Sequence, residues 1–161
     1  MVPDERVDRE PAGPESGGCE VKALSIRQPW AHLILCGMKT IENRTWRTDY
    51  RGPLAIHAGT KSAADWSHAV KDVALRAQGR MSIPLLFEAA AGVSPAFRDV
   101  TTTKRGCVLG IVDLVDIVTE SDSPWFEGPY GWVLRNPRAL PVPFVMPGRL
   151  GLFEVSESGA A

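Results

Sequence analysis

Apolar and polar positions change rhythm several times along the chain, and each change marks a predicted element. VKALSI (21–26) reads as a first strand; directly after it Trp30, Leu33 and Ile34 recur at i, i+3, i+4. Pro29 opens this second segment where a missing N–H costs nothing, and Gly37 supplies a left-handed stop, so a short anchoring helix is predicted between them. Strands are expected next at Lys39 to Arg47 and at Pro53 to Ala58, joined by a turn around Asp49 to Gly52. Thr60 or Ser62 then caps a second predicted helix, in which Trp66, Ala69, Val70, Val73, Ala74 and Ala77 keep helical spacing until Gly79 ends it.

Between Arg80 and Arg105 the periodicity is lost and Pro84, Gly92 and Pro95 interrupt the apolar residues, which predicts an insertion or long loop over 80–105. CVLGIVDLVDIV (107–118) is apolar on both faces apart from Asp113 and Asp116, the mark of a strand in the middle of a sheet. YGWVLRN and LGLFEVS supply further strands. The intervening NPRALPVPFVMPGRLG holds four prolines, which assigns it to edges and turns. Five or six strands with two helices and no βαβ rhythm predict an α+β, mainly β domain, a small and mostly antiparallel barrel with helices capping it.

Composition sets the limits of that domain. Residues 1–20 are rich in Pro, Gly, Ser and acids and bury too little to offset the entropy of ordering, so they are expected to be a disordered acidic arm, with the domain over 21–156 and a disordered C-terminus over 157–161. The arm has six acids and two bases and carries −4; since the whole chain is −1, the remainder carries +3. That surplus permits a polyanion partner without requiring one. Cys19, Cys36 and Cys107 are scattered and form no C-x-x-C pair, which points to neither a disulfide framework nor a zinc site, and no metal or cofactor is expected. No stretch approaches the roughly 18 apolar residues of a membrane span, and the N-terminus lacks the order of a secretory signal. A cytoplasmic monomer is expected.

The candidate chemistry concentrates in GMKTIENRTWRTDYRG (37–52). Strand alternation places Glu42 and Arg44 on one face and Asn43, Thr45 and Arg47 on the other, with Lys39 able to bend toward either. Two readings stay open from spacing alone. Glu42 is pinned between Lys39 and Arg44 in an ion-pair network closing the barrel, or the cations bind phosphate while Glu42 accepts from a base amino group. His57, followed by AGTK, is expected at a strand end before a helix start; there it either helps bind an anion with Lys61 or is satisfied by a turn carbonyl. Trp132 either plugs the barrel or stacks on a base, Trp30, Trp46 and Trp66 fill core, and Trp125 with Phe126 forms an exposed rim. His32 and His68 are expected to be solvated.

LSIRQPWAHLILCGMKTIENRTWRTDYRGPLAIHAG resembles the signature of the ASCH domain family, with its LSI-x-QPWA, G-x-K-x-x-E-x-R and RG-x-L-x-IHA segments. GCVLGIVDLVD, GPYGWVLRNPRAL-x-VP and GRLGLFEV extend the likeness over residues 21 to 156. The resemblance implies a PUA-like β-barrel and a role in binding single-stranded RNA or a nucleotide in a cleft lined by Lys39, Glu42 and Arg44. Arg27, Gln28, Tyr50, Arg51 and His57 neighbour these on the signature; Arg47, Lys61 and Trp132 complete the expected binding set. Compact bacterial relatives hydrolyse the acetyl amide of acetylated cytidine with a Thr nucleophile where this chain has Glu42. A carboxylate cannot take that role without passing through an anhydride, so the mechanism does not transfer unchanged. Ser25, Thr40 and Thr45 are the other nearby hydroxyls. The enzyme alternative is a hydrolase acting on a modified nucleoside or on RNA, with Lys39, Glu42 and His57 as its catalytic set.

Overall fold

A computed structural model describes residues 21–62 and 105–155. The predicted acidic arm, the second helix with Trp66 and His68, nearly all of the 80–105 segment and the C-terminal tail lie outside the described residues. The elements are β1 (Val21–Gln28), α1 (Trp30–Leu35), β2 (Ile41–Arg44), β3 (Gly52–Ser62), β4 (Cys107–Val118), β5 (Tyr130–Val145) and β6 (Leu152–Val155). They form one six-stranded sheet in the order β2-β5-β4-β3-β1-β6. Neighbours run antiparallel except β1 and β3, which pair in parallel. The mainly β, mostly antiparallel small barrel with a helix is therefore the observed fold.

The sheet curls around an inner core. Leu24 and Ile26 of β1, Leu54 and Ile56 of β3, Leu109, Val112 and Leu114 of β4 and Trp132 and Leu134 of β5 meet Ile34 and Leu35 of α1. Helix α1 is buried from Ala31 to Leu35, which suits a short helix that is apolar apart from His32. A second cluster of Ala23, Ala55, Val108, Phe153 and Val155 lies apart from this core and is packed by Leu140, Phe144 and Met146. Leu109 belongs to the inner cluster and Val108 to the second, which is why β4 reads as apolar on both faces.

Three sequence expectations give way to longer-range pairing. The predicted strand from Lys39 to Arg47 shortens to Ile41–Arg44, because only those residues face β5, through the pairs Ile41 with Val133 to Arg44 with Tyr130. Strand β3 does not end at Ala58 before a helix; it continues through Thr60 and Lys61 to Ser62, so Thr60 caps nothing. The proline-rich segment is not all turn. β5 runs through Pro137, Pro141 and Pro143 to Val145. Its pairing with β4 jumps from Gly110 opposite Ala139 to Val108 opposite Phe144. Pro141 and Pro143 sit in that bulge, and β2 pairs with β5 only as far as Val133, so from there on the prolines remove no hydrogen bond from a second neighbour.

Candidate functional site

The end of α1 places the first residue of the site. Gly37 has φ +78°, its N–H bonds Ile34 O at 3.0 Å, and the Met38 N–H bonds Leu33 O at 3.0 Å. This paired closure needs a left-handed residue, which glycine supplies without a Cβ penalty. The chain leaves the helix with Lys39 turned inward, 5 % exposed. Its Nζ donates to Ile41 O and to Glu42 Oε2 at 2.9 Å. The other carboxylate oxygen of Glu42 lies 3.3 Å from Arg44 Nη2, and the same Nη2 donates to Ser25 O at 2.9 Å.

These contacts bring Lys39, Glu42 and Arg44 together and also close the fold. β2 is the first strand of the sheet and β1 the fifth, so the bond from Arg44 to Ser25 O exists only because the sheet curls. Side-chain exposure rises along the chain of contacts, 6 % and 12 % for Lys39 and Glu42 and 22 % for Arg44. The two buried charges neutralise each other, and Arg44 is the member nearest solvent. Its Nε is buried with no acceptor among the described residues.

A cleft of about 440 Å³ opens on the other side of Lys39. Gly37, Lys39, Thr40 and Ile41 form one wall, and Val133 to Pro137 of β5 form the other, with Ile34, Val112 and Val118 also lining it. Glu42 and Arg44 do not line it. The motif is thus divided, its first half bordering open space and its second half forming the internal ion-pair network.

The remaining expected residues separate clearly. Trp132 is fully buried, donates its indole N–H to Trp46 O at 3.3 Å and meets the Trp46 ring edge-on at 4.8 Å. Its faces are spent on core packing, so it offers no stacking platform. Trp125 is also buried, with Leu33 and Ile41, and meets Trp30 edge-on at 6.4 Å; the exposed rim expected of it and half-buried Phe126 does not form. Gln28 is buried, and its Oε1 accepts from the His32 N–H at 3.2 Å. His32, expected to be solvated, is buried on α1, and desolvation pushes its pKa from 6.5 down to about 4.

His57 lies within β3 and is fully buried. Its Nε2 is 2.9 Å from Met146 O and its Nδ1 is 3.0 Å from Ser25 Oγ. A carbonyl only accepts, so Nε2 carries the proton and Nδ1 accepts from the serine hydroxyl. Gly148 presses on this pair; a Cβ there would sit 2.6 Å from His57 Cε1 and 2.7 Å from Ser25 Oγ. Both ring nitrogens serve the fold, and the helix start that was to accompany an anion is strand instead. Arg27, Arg47, Arg51 and Lys61 are exposed. Arg51 donates to Thr48 O at 3.0 Å and Tyr50 O at 2.8 Å and lies 3.6 Å from Asp116. Tyr50 is half-buried and bonds Pro53 O.

The helix stop, the buried lysine and the short strand that follows are the structural content of G-x-K-x-x-E-x-R, and the family model of the ASCH domain matches residues 24–134. The chain belongs to the ASCH domain family. It is 28 % identical over 144 residues to human activating signal cointegrator 1, across 84 % of this chain and 22 % of that protein. The mouse protein of the same name is 27 % identical over the same extent. The chain thus spans about a fifth of the length of these curated relatives.

In this ASCH domain Cys36 is half-buried and Cys107 buried, and neither forms a disulfide. Among the described residues no three His, Cys, Asp or Glu side chains gather as a metal site. No helix among them is long and apolar enough to cross a membrane. Thr40 enters the sequence reading only as a nearby hydroxyl and Arg135 not at all, although both line the cleft. Thr40 stands inside the motif; Arg135 lies in YGWVLRN, which reads as a strand but gives no sign of which residues border it across the barrel.

Proposed function

We propose that this ASCH domain binds single-stranded RNA or a nucleotide at the corner where the G-x-K-x-x-E-x-R motif borders the cleft. The observation that carries the reading is the cleft itself, whose volume of about 440 Å³ falls in the range of small-ligand sites and whose wall is the first half of the motif. A flat heterocycle would lie against Ile41 and Val133. Exposed Arg27, Arg47 and Lys61 would form a basic track along the backbone. Glu42 and Arg44 act in this reading by holding Lys39 and the motif wall of the cleft in place. The relatives are named for integrating activating signals, and a part in RNA metabolism or gene regulation belongs to the same proposal.

The hydrolase reading has one observation in its favour, the Ser25 hydroxyl on His57 Nδ1. It has more against it, since His57 is enclosed and Lys39 Nζ is occupied by Glu42 and Ile41 O. The test is a titration with a short single-stranded oligoribonucleotide and, in parallel, incubation with acetylated cytidine. Binding lost in Thr40→Trp, which fills the cleft mouth, together with intact acetylated cytidine, is the expected result. Turnover that disappears in Lys39→Ala would replace the binding module with an enzyme.

A further inference from the structure

The cleft wall contributed by β5 contains a cation that no described residue pairs with. Arg135 is exposed and lines the cleft. In the ladder it stands opposite Asp113, the acid best placed to neutralise it. Asp113 is already engaged: Arg138 Nη2 lies 2.7 Å from its Oδ1, while Arg138 Nη1 at 3.4 Å and Asn136 Nδ2 at 2.8 Å both reach Oδ2. The hydrogen bonds from Arg138 and Asn136 hold the Asp113 carboxyl below its ordinary pKa, so it is ionised and its charge is matched by Arg138. The other cation lining the cleft, Lys39, is matched by Glu42. Arg135 is therefore the cleft-lining cation without an ion pair among the described residues.

We propose that Arg135 is a phosphate-recognising residue and that the cleft takes an anionic nucleotide unit in preference to a neutral nucleoside. The inference rests on the nucleotide-binding reading above and deepens it by assigning the ligand's charged group. The apolar wall of Ile41 and Val133 accepts the base, and the guanidinium at the rim pairs with phosphate oxygens in a forked geometry that a lysine cannot reproduce. Asn136 favours the arrangement indirectly. It holds φ +50°, a left-handed conformation that asparagine tolerates better than most residues, and its amide bonds Asp113, helping to keep that carboxylate from Arg135.

Calorimetric titration of the full chain at low salt with cytidine, cytidine 5′-monophosphate, inorganic phosphate and a short oligoribonucleotide lacking terminal phosphates tests this. The monophosphate is expected to bind at least about tenfold more tightly than cytidine. Arg135→Gln should erase that preference and leave cytidine binding unchanged, whereas Arg149→Gln, at an exposed arginine outside the cleft lining, should keep the preference. Arg135-dependent binding of the oligoribonucleotide identifies an internal phosphodiester as the group recognised; dependence confined to the monophosphate identifies a terminal one. Equal affinity for cytidine and its monophosphate, or a preference that survives Arg135→Gln and Arg135→Glu, overturns the role of Arg135 while leaving the cleft as a nucleoside site. Failure of all the nucleosides and nucleotides to bind overturns the nucleotide reading itself.

Discussion

Glu42 stands between two cations, and removing it leaves the Lys39 ammonium buried without a counter-charge. Loss of one partner from a buried pair costs far more than the pair contributes. Glu42→Ala is therefore expected to destabilise the fold by about 3 kcal/mol. The double replacement Lys39→Met, Glu42→Leu should cost less than that single change, because neither charge is left behind. Urea unfolding of the three proteins measures the difference; a double variant weaker than Glu42→Ala would mean that the charges stabilise the corner directly. His32 sets a pH limit of a different kind. Its folded pKa of about 4 lies below the ordinary 6.5, so between these values the unfolded chain takes up a proton that the buried ring refuses. The stabilising effect is complete above about pH 6.5 and is lost as the pH falls toward 4, by on the order of 3 kcal/mol in all. Urea midpoints at about pH 7 and about pH 4.5 should converge in His32→Leu relative to the parent protein.

At the scale of elements, the bulge of β5 over β4 is the feature most sensitive to side-chain volume. A Cβ on Gly110 would lie 2.5 Å from Arg138 O, 2.7 Å from Leu35 Cδ2 and 3.0 Å from Ala139 Cα. Two of these neighbours are backbone and cannot rotate away, so Gly110→Ala is expected to cost about 2 to 3 kcal/mol. Gly148→Ala meets the His57 ring and the Ser25 hydroxyl from an exposed segment that can lift, and should cost less than about 1 kcal/mol. Denaturant midpoints decide the order, and a larger loss at Gly148 would show that the segment is held more firmly than its exposure implies. The elements differ in how much of this could be read from residue order. α1 with its Gly37 stop and the two-faced β4 follow from local periodicity. The end of β3 and the path of β5 do not, since Thr60 is held in strand and Pro141 is tolerated in a bulge by pairing with residues far away in sequence.

For the molecule as a whole, charge distribution matters more than net charge. The first twenty residues carry −4 and the rest +3. Removing residues 1–20 should therefore strengthen oligoribonucleotide binding at low salt, and in both forms the logarithm of affinity should fall linearly as the logarithm of salt concentration rises. Fluorescence anisotropy across a salt series measures both effects. Affinity indifferent to ionic strength would show that phosphate contacts contribute little. The match to about a fifth of activating signal cointegrator 1 indicates that the ASCH domain also occurs as one part of longer chains, so affinity measured on this chain describes the domain's own contribution.

The residue order alone determined where β1, α1 and β4 lie, that a helix stop delivers Lys39, and that Glu42 and Arg44 share a face, because these depend on alternation and spacing within a few residues. The tertiary structure decided which charges neutralise one another, that Trp132 and His57 are enclosed, and that the open cleft lies beside Thr40 and Arg135. Each of those outcomes depends on which strand the curled sheet brings opposite. Arg44 meets Ser25 from the far end of the strand order, and Asp113 is taken by Arg138 before it can neutralise Arg135. Periodicity in one segment carries no information about its partner across the barrel.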